Sequence, residues 1–177
     1  MIRAAWLCLL APALMLGQAL NLESLDRLKS KASGNVTITL DASLLRIASK
    51  FLSDDDAEEA GVKKLVAGLK RILVRNFEFS HEGQYLDSDL DAVRNQLRDP
   101  AWNKVVEVRS KKDGENADVY VRQEGDRITG AAVIVGEPKE LTVIHIEGPI
   151  DLDGIARLSG NFGIPDSVRK KVEKKTK

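Results

Sequence analysis

The chain contains two histidines, His81 and His145, and any histidine-based zinc site or serine–histidine–acid arrangement would have to use one of them. His81 stands in the polar run Ser80-His81-Glu82-Gly83, a few residues from Glu78 and Asp87. An imidazole titrates near neutral pH, so beside a carboxylate it can serve as a general base. No Gly-x-Ser-x-Gly elbow accompanies it, and a surface histidine is the simpler reading. His145 shares a strand face with Leu141 and Val143, which marks a packed or hydrogen-bonded sheet histidine.

Three acidic clusters invite a metal reading. The adjacent carboxylates of Asp54-Asp55-Asp56 point in different directions on any regular backbone. Asp87-x-Asp89-x-Asp91 has the alternate spacing of a calcium loop, but Ala92 and Arg98 occupy the places where such a loop needs glycine and glutamate. Asp151-x-Asp153-Gly154 fails in the same way at Ala156 and Phe162. All three read as helix caps and solvated first turns. Neither Gly-x-Gly-x-x-Gly nor a phosphate-binding Gly-Lys-Ser/Thr loop occurs. No metal or other cofactor is therefore expected.

The N-terminus carries an address. Arg3 is followed by an uncharged apolar run from Ala4 to Leu16, and then by the small-x-small triplet Gly17-Gln18-Ala19, the pattern of a cleavable signal peptide over residues 1–19. The run is too short for a span of about 20 residues and is interrupted by Pro12. The only cysteine, Cys8, leaves with the signal, so an exported chain starting at Leu20 would have no thiol and no disulfide. Roughly 160 residues would remain, enough for one domain that buries about 70% of the surface of its unfolded chain. With 27 basic and 27 acidic residues, nothing steers the protein toward nucleic acid. A single domain is expected over residues 20–165 and a basic polar tail over 166–177, within which Arg169 to Lys177 holds six cations against Glu173.

Hydrophobic periodicity supplies the elements. Leu22, Leu25 and Leu28 suggest a short amphipathic helix between Asn21 and Lys31, an arm expected to pack loosely. Val36 to Leu40 alternates apolar and hydroxyl side chains, as a half-buried strand does, with Thr37 and Thr39 facing away from the core. Asp41 is placed to cap a helix whose buried stripe is Leu44, Ile47, Ala48, Phe51 and Leu52. Val62, Leu65, Val66 and Leu69 mark a second helix, Ile72 to Phe79 a strand, and Leu90, Val93 and Leu97 a third helix ended by Asp99-Pro100. Four strand-like runs follow (Val105–Arg109, Ala117–Gln123, Arg127–Val135, Leu141–Glu147), joined by connections short enough to imply an antiparallel meander. A last helix is expected over Asp151–Ser159. The order indicates an α+β fold of two layers, with helices on one face of a mostly antiparallel sheet.

Alternation along those strands puts Thr37, Thr39, Glu107, Arg109, Tyr120 and Arg122 on the face that the helices leave uncovered. Tyrosine and arginine are enriched at protein interfaces, so Arg109, Tyr120 and Arg122 are the candidate binding residues. The partner they suggest is an envelope protein or a surface polymer.

Three stretches together resemble a bacterial exported family known as domain of unknown function 4252. They are Leu44 to Leu52 followed by acids, Trp102 to Arg109 after the Asp99-Pro100 break, and Gly125-Asp126-Arg127-Ile128-Thr129-Gly130 leading to Glu137-Pro138-Lys139-Glu140-Leu141. The similarity runs from about Leu22 to Ile164. It implies a signal peptide and an envelope location. Some members are lipoproteins, whereas Cys8 here follows Trp6-Leu7 and lies in no lipobox. The family brings no established activity and hence no catalytic residues. The expectation is thus an exported, periplasmic or extracellular protein acting as a non-enzymatic binding module. The alternative is a hydrolase or small-ligand-binding protein centred on His81 with Glu78 or Asp87.

Overall fold

The computed structural model describes residues 20–55, 57–110, 112 and 114–150. Its centre is one six-stranded sheet built of β1 (Gly34–Asp41), β2 (Arg71–Glu78), β3 (Trp102–Arg109), β4 (Asn116–Glu124), β5 (Arg127–Glu137) and β6 (Glu140–Ile150), in the order β1-β2-β6-β5-β4-β3 and antiparallel throughout. The last four strands form the expected meander, and β6 closes it against β2. The β4–β5 turn is two residues long and begins at Gly125, whose φ of +62° suits it to the first position of a tight hairpin. The expected helix at Asp151–Ser159 and the polar tail lie outside the described residues.

Two apolar cores form because side chains alternate across the sheet. On the first face Ile72, Val74, Val119, Val133, Ile144 and Ile146 pack with Leu45 and Leu69, beneath α1 (Ala42–Ser49) and α2 (Ala57–Gly68). On the second face Phe77, Ile134, Leu141 and Val143 pack with Leu22, Leu25, Leu28, Leu90, Val93 and Leu97. These come from the N-terminal 3-10 helix η1 (Glu23–Ser30) and from a short 3-10 turn, η2 (Asp87–Leu90), running into α3 (Asp91–Gln96). The α+β class and the antiparallel sheet stand as read from the sequence. α1 and α2 share one face, while η1, η2 and α3 sit on the other.

Two sequence expectations change. The N-terminal arm does not pack loosely, since Leu25 and Leu28 are fully buried and Leu22 nearly so. Their spacing of three is the reason. In a helix of three residues per turn the side chains at i and i+3 eclipse, so the leucines make one straight apolar row. Each buried leucine contributes about 2 kcal/mol relative to exposure. The stripe assigned to α1 is also reversed. Asp41 caps the helix as expected, its Oδ1 accepting from the amides of Ser43 at 2.8 Å and Leu44 at 2.9 Å. The residues facing the sheet, however, are Leu45 and Ser49, while Leu44, Ile47 and Phe51 are 46%, 51% and 86% exposed. The helix stops at Ser49, before Phe51 and Leu52 can join any stripe. Ser49 tolerates burial because its hydroxyl donates to the Arg46 carbonyl at 3.0 Å.

Candidate functional site

The loop between β2 and η2 leans over the ends of β4 and β5 and encloses a cavity of about 290 Å³. Glu82, Gly83 and Tyr85 form one wall, Asp87, Leu90 and Arg94 a second, and Gly114, Asn116, Asp118, Ile134, Gly136, Glu137 and Pro138 the rest. Tyr85 positions the loop. Its ring stacks on Phe79 with centroids 5.2 Å apart, and its hydroxyl donates to the Glu137 carbonyl at 2.6 Å. Glycine at 136 is what lets that hydroxyl in, because a Cβ there would lie 2.9 Å from it. Burial, aided by the charges of Glu137 and Asp87, pushes the Tyr85 phenol up to about 12, so it remains a neutral hydrogen-bond donor across the physiological range.

The floor holds a buried carboxylate. Asp118 is 1% exposed. Its Oδ1 accepts from Arg109 Nη2 at 2.8 Å and faces Lys104 Nζ at 3.1 Å, while its Oδ2 lies 3.8 Å from Arg94 Nη2. Burial opposes the charge on Lys104, but the hydrogen bond and charge of Asp118 win and hold the ammonium above its ordinary value. Arg94 pairs in turn with Asp87 at 2.8 Å. These charges are matched internally. Glu82 and Glu137 are not, for among the described residues no cation lies within ion-pair distance of either. Glu137 is raised above the usual carboxylate range by burial and then by Glu140 and Glu115. The lining therefore offers four carboxylates and one guanidinium, an arrangement that favours a cationic guest.

The three residues expected to form an open binding face are on one side of the sheet, as alternation required, but that side is not open. Tyr120 is 8% exposed within the second core, with Lys104 Nζ 5.3 Å from its ring centre. Arg109 is held by the Val108 carbonyl at 2.7 Å and by Asp118 and Glu107. Arg122 lies half-buried, 3.8 Å from Glu124. Thr37 and Thr39 are exposed, but on β1 at the far edge. The expectation of one bare surface is corrected because η1 and α3 cover the middle of that face.

His81 is exposed, and its amide donates to Gln84 Oε1 at 2.8 Å. It is not among the residues lining the cavity, although its neighbours Glu82 and Gly83 are, and so is Asp87; Glu78 is not. His145 is packed as expected, 3% exposed, with its ring 5.9 Å from that of Trp102. Burial, then the charges of Arg71 and Arg122, lowers it to about 4, and its Nδ1 has no protein partner. Asp54 pairs with Lys63 at 2.6 Å, while Asp56, Asp151 and Asp153 lie outside the described residues. Asp89 accepts from the Leu86 amide at 2.8 Å and pairs with Arg27 at 3.0 Å. Among the described residues no three His, Cys, Asp or Glu side chains are gathered as metal ligands, and no helix is long and apolar enough to cross a membrane.

Sequence reading missed Asp118, Tyr85, Arg94 and Glu137. Asp118 carried the one available signal, a carboxylate inside the apolar run Ala117 to Val121 and in phase with Tyr120 rather than with the valines. No curated protein matches the chain. The family model described as a domain of unknown function, 4252, matches residues 30–158. That stretch contains every strand and α-helix of the described residues and every residue lining the cavity. It is most of the sequence, and the chain belongs to that family.

Proposed function

We propose that this protein is an exported, non-enzymatic binding module whose ligand is a small cation, an amine or guanidine held in the cavity beneath the Glu82–Asp87 loop. The observation that carries this reading is the lining itself, with four carboxylates against one guanidinium, two of the carboxylates having no ion-pair partner among the described residues. A cavity of about 290 Å³ lies near the lower end of the range for small-molecule sites. Tyr85 and Leu90 add apolar wall beside the acids. Export rests on the signal-like pattern of residues 1–19. The hydrolase alternative centred on His81 has less support, because the imidazole stands outside the cavity lining and only Asp87 of its two suggested partners reaches it.

Calorimetric titration with small aliphatic and aromatic amines tests the reading, with matched carboxylic acids as controls. Amines should bind and the acids should not. Glu137→Gln should weaken amine binding by about tenfold, and affinity should fall as pH is lowered through the raised Glu137 titration, since protonation removes the attracting charge. Equal binding of amines and acids, or none of either, would sink the proposal.

A further inference from the structure

The two strands that end the sheet are built differently. β3 is interrupted by a register shift between Lys104 and Val106 and carries Lys104, Glu107 and Arg109. Bulges and charges of this kind keep a sheet edge from pairing with another chain. β1 has neither. It pairs with β2 residue for residue from Gly34↔Glu78 to Asp41↔Arg71, with no shift. From Asn35 to Leu40 it holds no charge and no proline. Its outer backbone groups form an eight-residue template for another strand.

An exposed apolar patch adjoins that edge. Val36 on β1 is 48% exposed, and Leu44, Ile47 and Phe51, on and just beyond α1, are 46%, 51% and 86% exposed. Ile38 and Leu40 pack into the first core, so by alternation Val36 faces the same side of the sheet as α1.

From this we infer that the β1 edge is the interface for a second copy of this chain, the two β1 strands pairing antiparallel about a two-fold axis perpendicular to the sheet. Such an axis keeps the first faces of both copies on one side. α1 of one copy then meets α1 of the other across the junction, and each covers the other's Leu44, Ile47 and Phe51. An unrelated extended peptide would satisfy the strand edge but would bring no apolar helix to cover the patch. Charge agrees with self-pairing, because the neutral Asn35–Leu40 stretch places no like charges opposite one another.

Sedimentation velocity on the full chain across a concentration series, combined with amide hydrogen exchange, tests the inference. Wild type should dimerise, and the outward-facing amides between Asn35 and Leu40 should become protected as dimer forms. Phe51→Glu and, separately, Thr37→Lys should weaken the dimer by at least about tenfold. Both positions are exposed, so the thermal midpoint of the monomer should stay put and separate loss of pairing from loss of fold. A chain that remains monomeric at every concentration overturns the inference. So does a dimer that survives both substitutions, or one in which Asn35–Leu40 exchange freely.

Discussion

The two faces of the sheet solve the same burial problem with different chemistry. Under α1 and α2 the strands present valine, isoleucine and alanine almost without interruption. The opposite face mixes leucine and phenylalanine with Asp118, Tyr120, Arg122, His145 and Arg75, and is covered by helical segments of four to eight residues. The first face is a plain core. The second is a core in the middle with polar groups at its margins, and the cavity opens at one of those margins, beside Asp118. The polar face is thus where the proposed site and the buried charges lie together.

Removing a carboxylate from among three cations should be the most damaging change. Asp118→Ala takes from Arg109, Lys104 and Arg94 the buried carboxylate they share and leaves them only Glu107 and Asp87 at the rim, and unfolding in urea should show a loss of about 3 kcal/mol. Val119→Ala, the next residue but on the first face, removes only two methyl groups and should cost about 2 kcal/mol. Similar losses for the two would erase the distinction between the faces.

Acid should reveal the second margin of the polar face. His145 falls from 6.5 to about 4 on folding, so the unfolded chain binds a proton between those values that the folded chain refuses. The fold therefore keeps its full stability above pH 6.5 and loses it as pH drops toward 4, by about 3 kcal/mol in all. In His145→Gln the part of the acid sensitivity lying in that window should vanish, as measured by chemical denaturation at stepped pH.

The folding pattern was largely legible because it depends on periodicity. The strand runs of the meander, the Asp41 cap and the leucines of η1 could all be read from spacing alone. Which stripe of a short helix faces inward could not. Leu44, Ile47 and Phe51 fit helical spacing as well as a core face does, and nothing in the sequence announces that α1 ends at Ser49 or that a serine can be buried by bonding back to Arg46. Tyr120 was misplaced for a related reason. Alternation assigns its face correctly but does not say that Tyr120 would be buried in a core shared with η1 and α3. The cavity was illegible because its walls come from a loop, two short helical segments and two strand ends far apart in sequence.

The smallest expected effect lies on the exposed stripe of α1. Leu44→Ser and Ile47→Ser should each change monomer stability by no more than about 0.5 kcal/mol, whereas Leu45→Ala on the buried side should cost about 2–5 kcal/mol. Thermal or urea unfolding of these variants at low concentration decides which side of α1 is inside.

The central claim is that the acid-walled margin of the polar face is a cation site. Amide shift mapping by NMR during titration with a small amine tests it most directly. The account predicts saturable shifts centred on Tyr85, Gly136 and Glu137, reduced in Glu137→Gln and absent with a carboxylate of the same size. Shifts scattered over the surface, or centred on His81 or the Tyr120 margin instead, would contradict it.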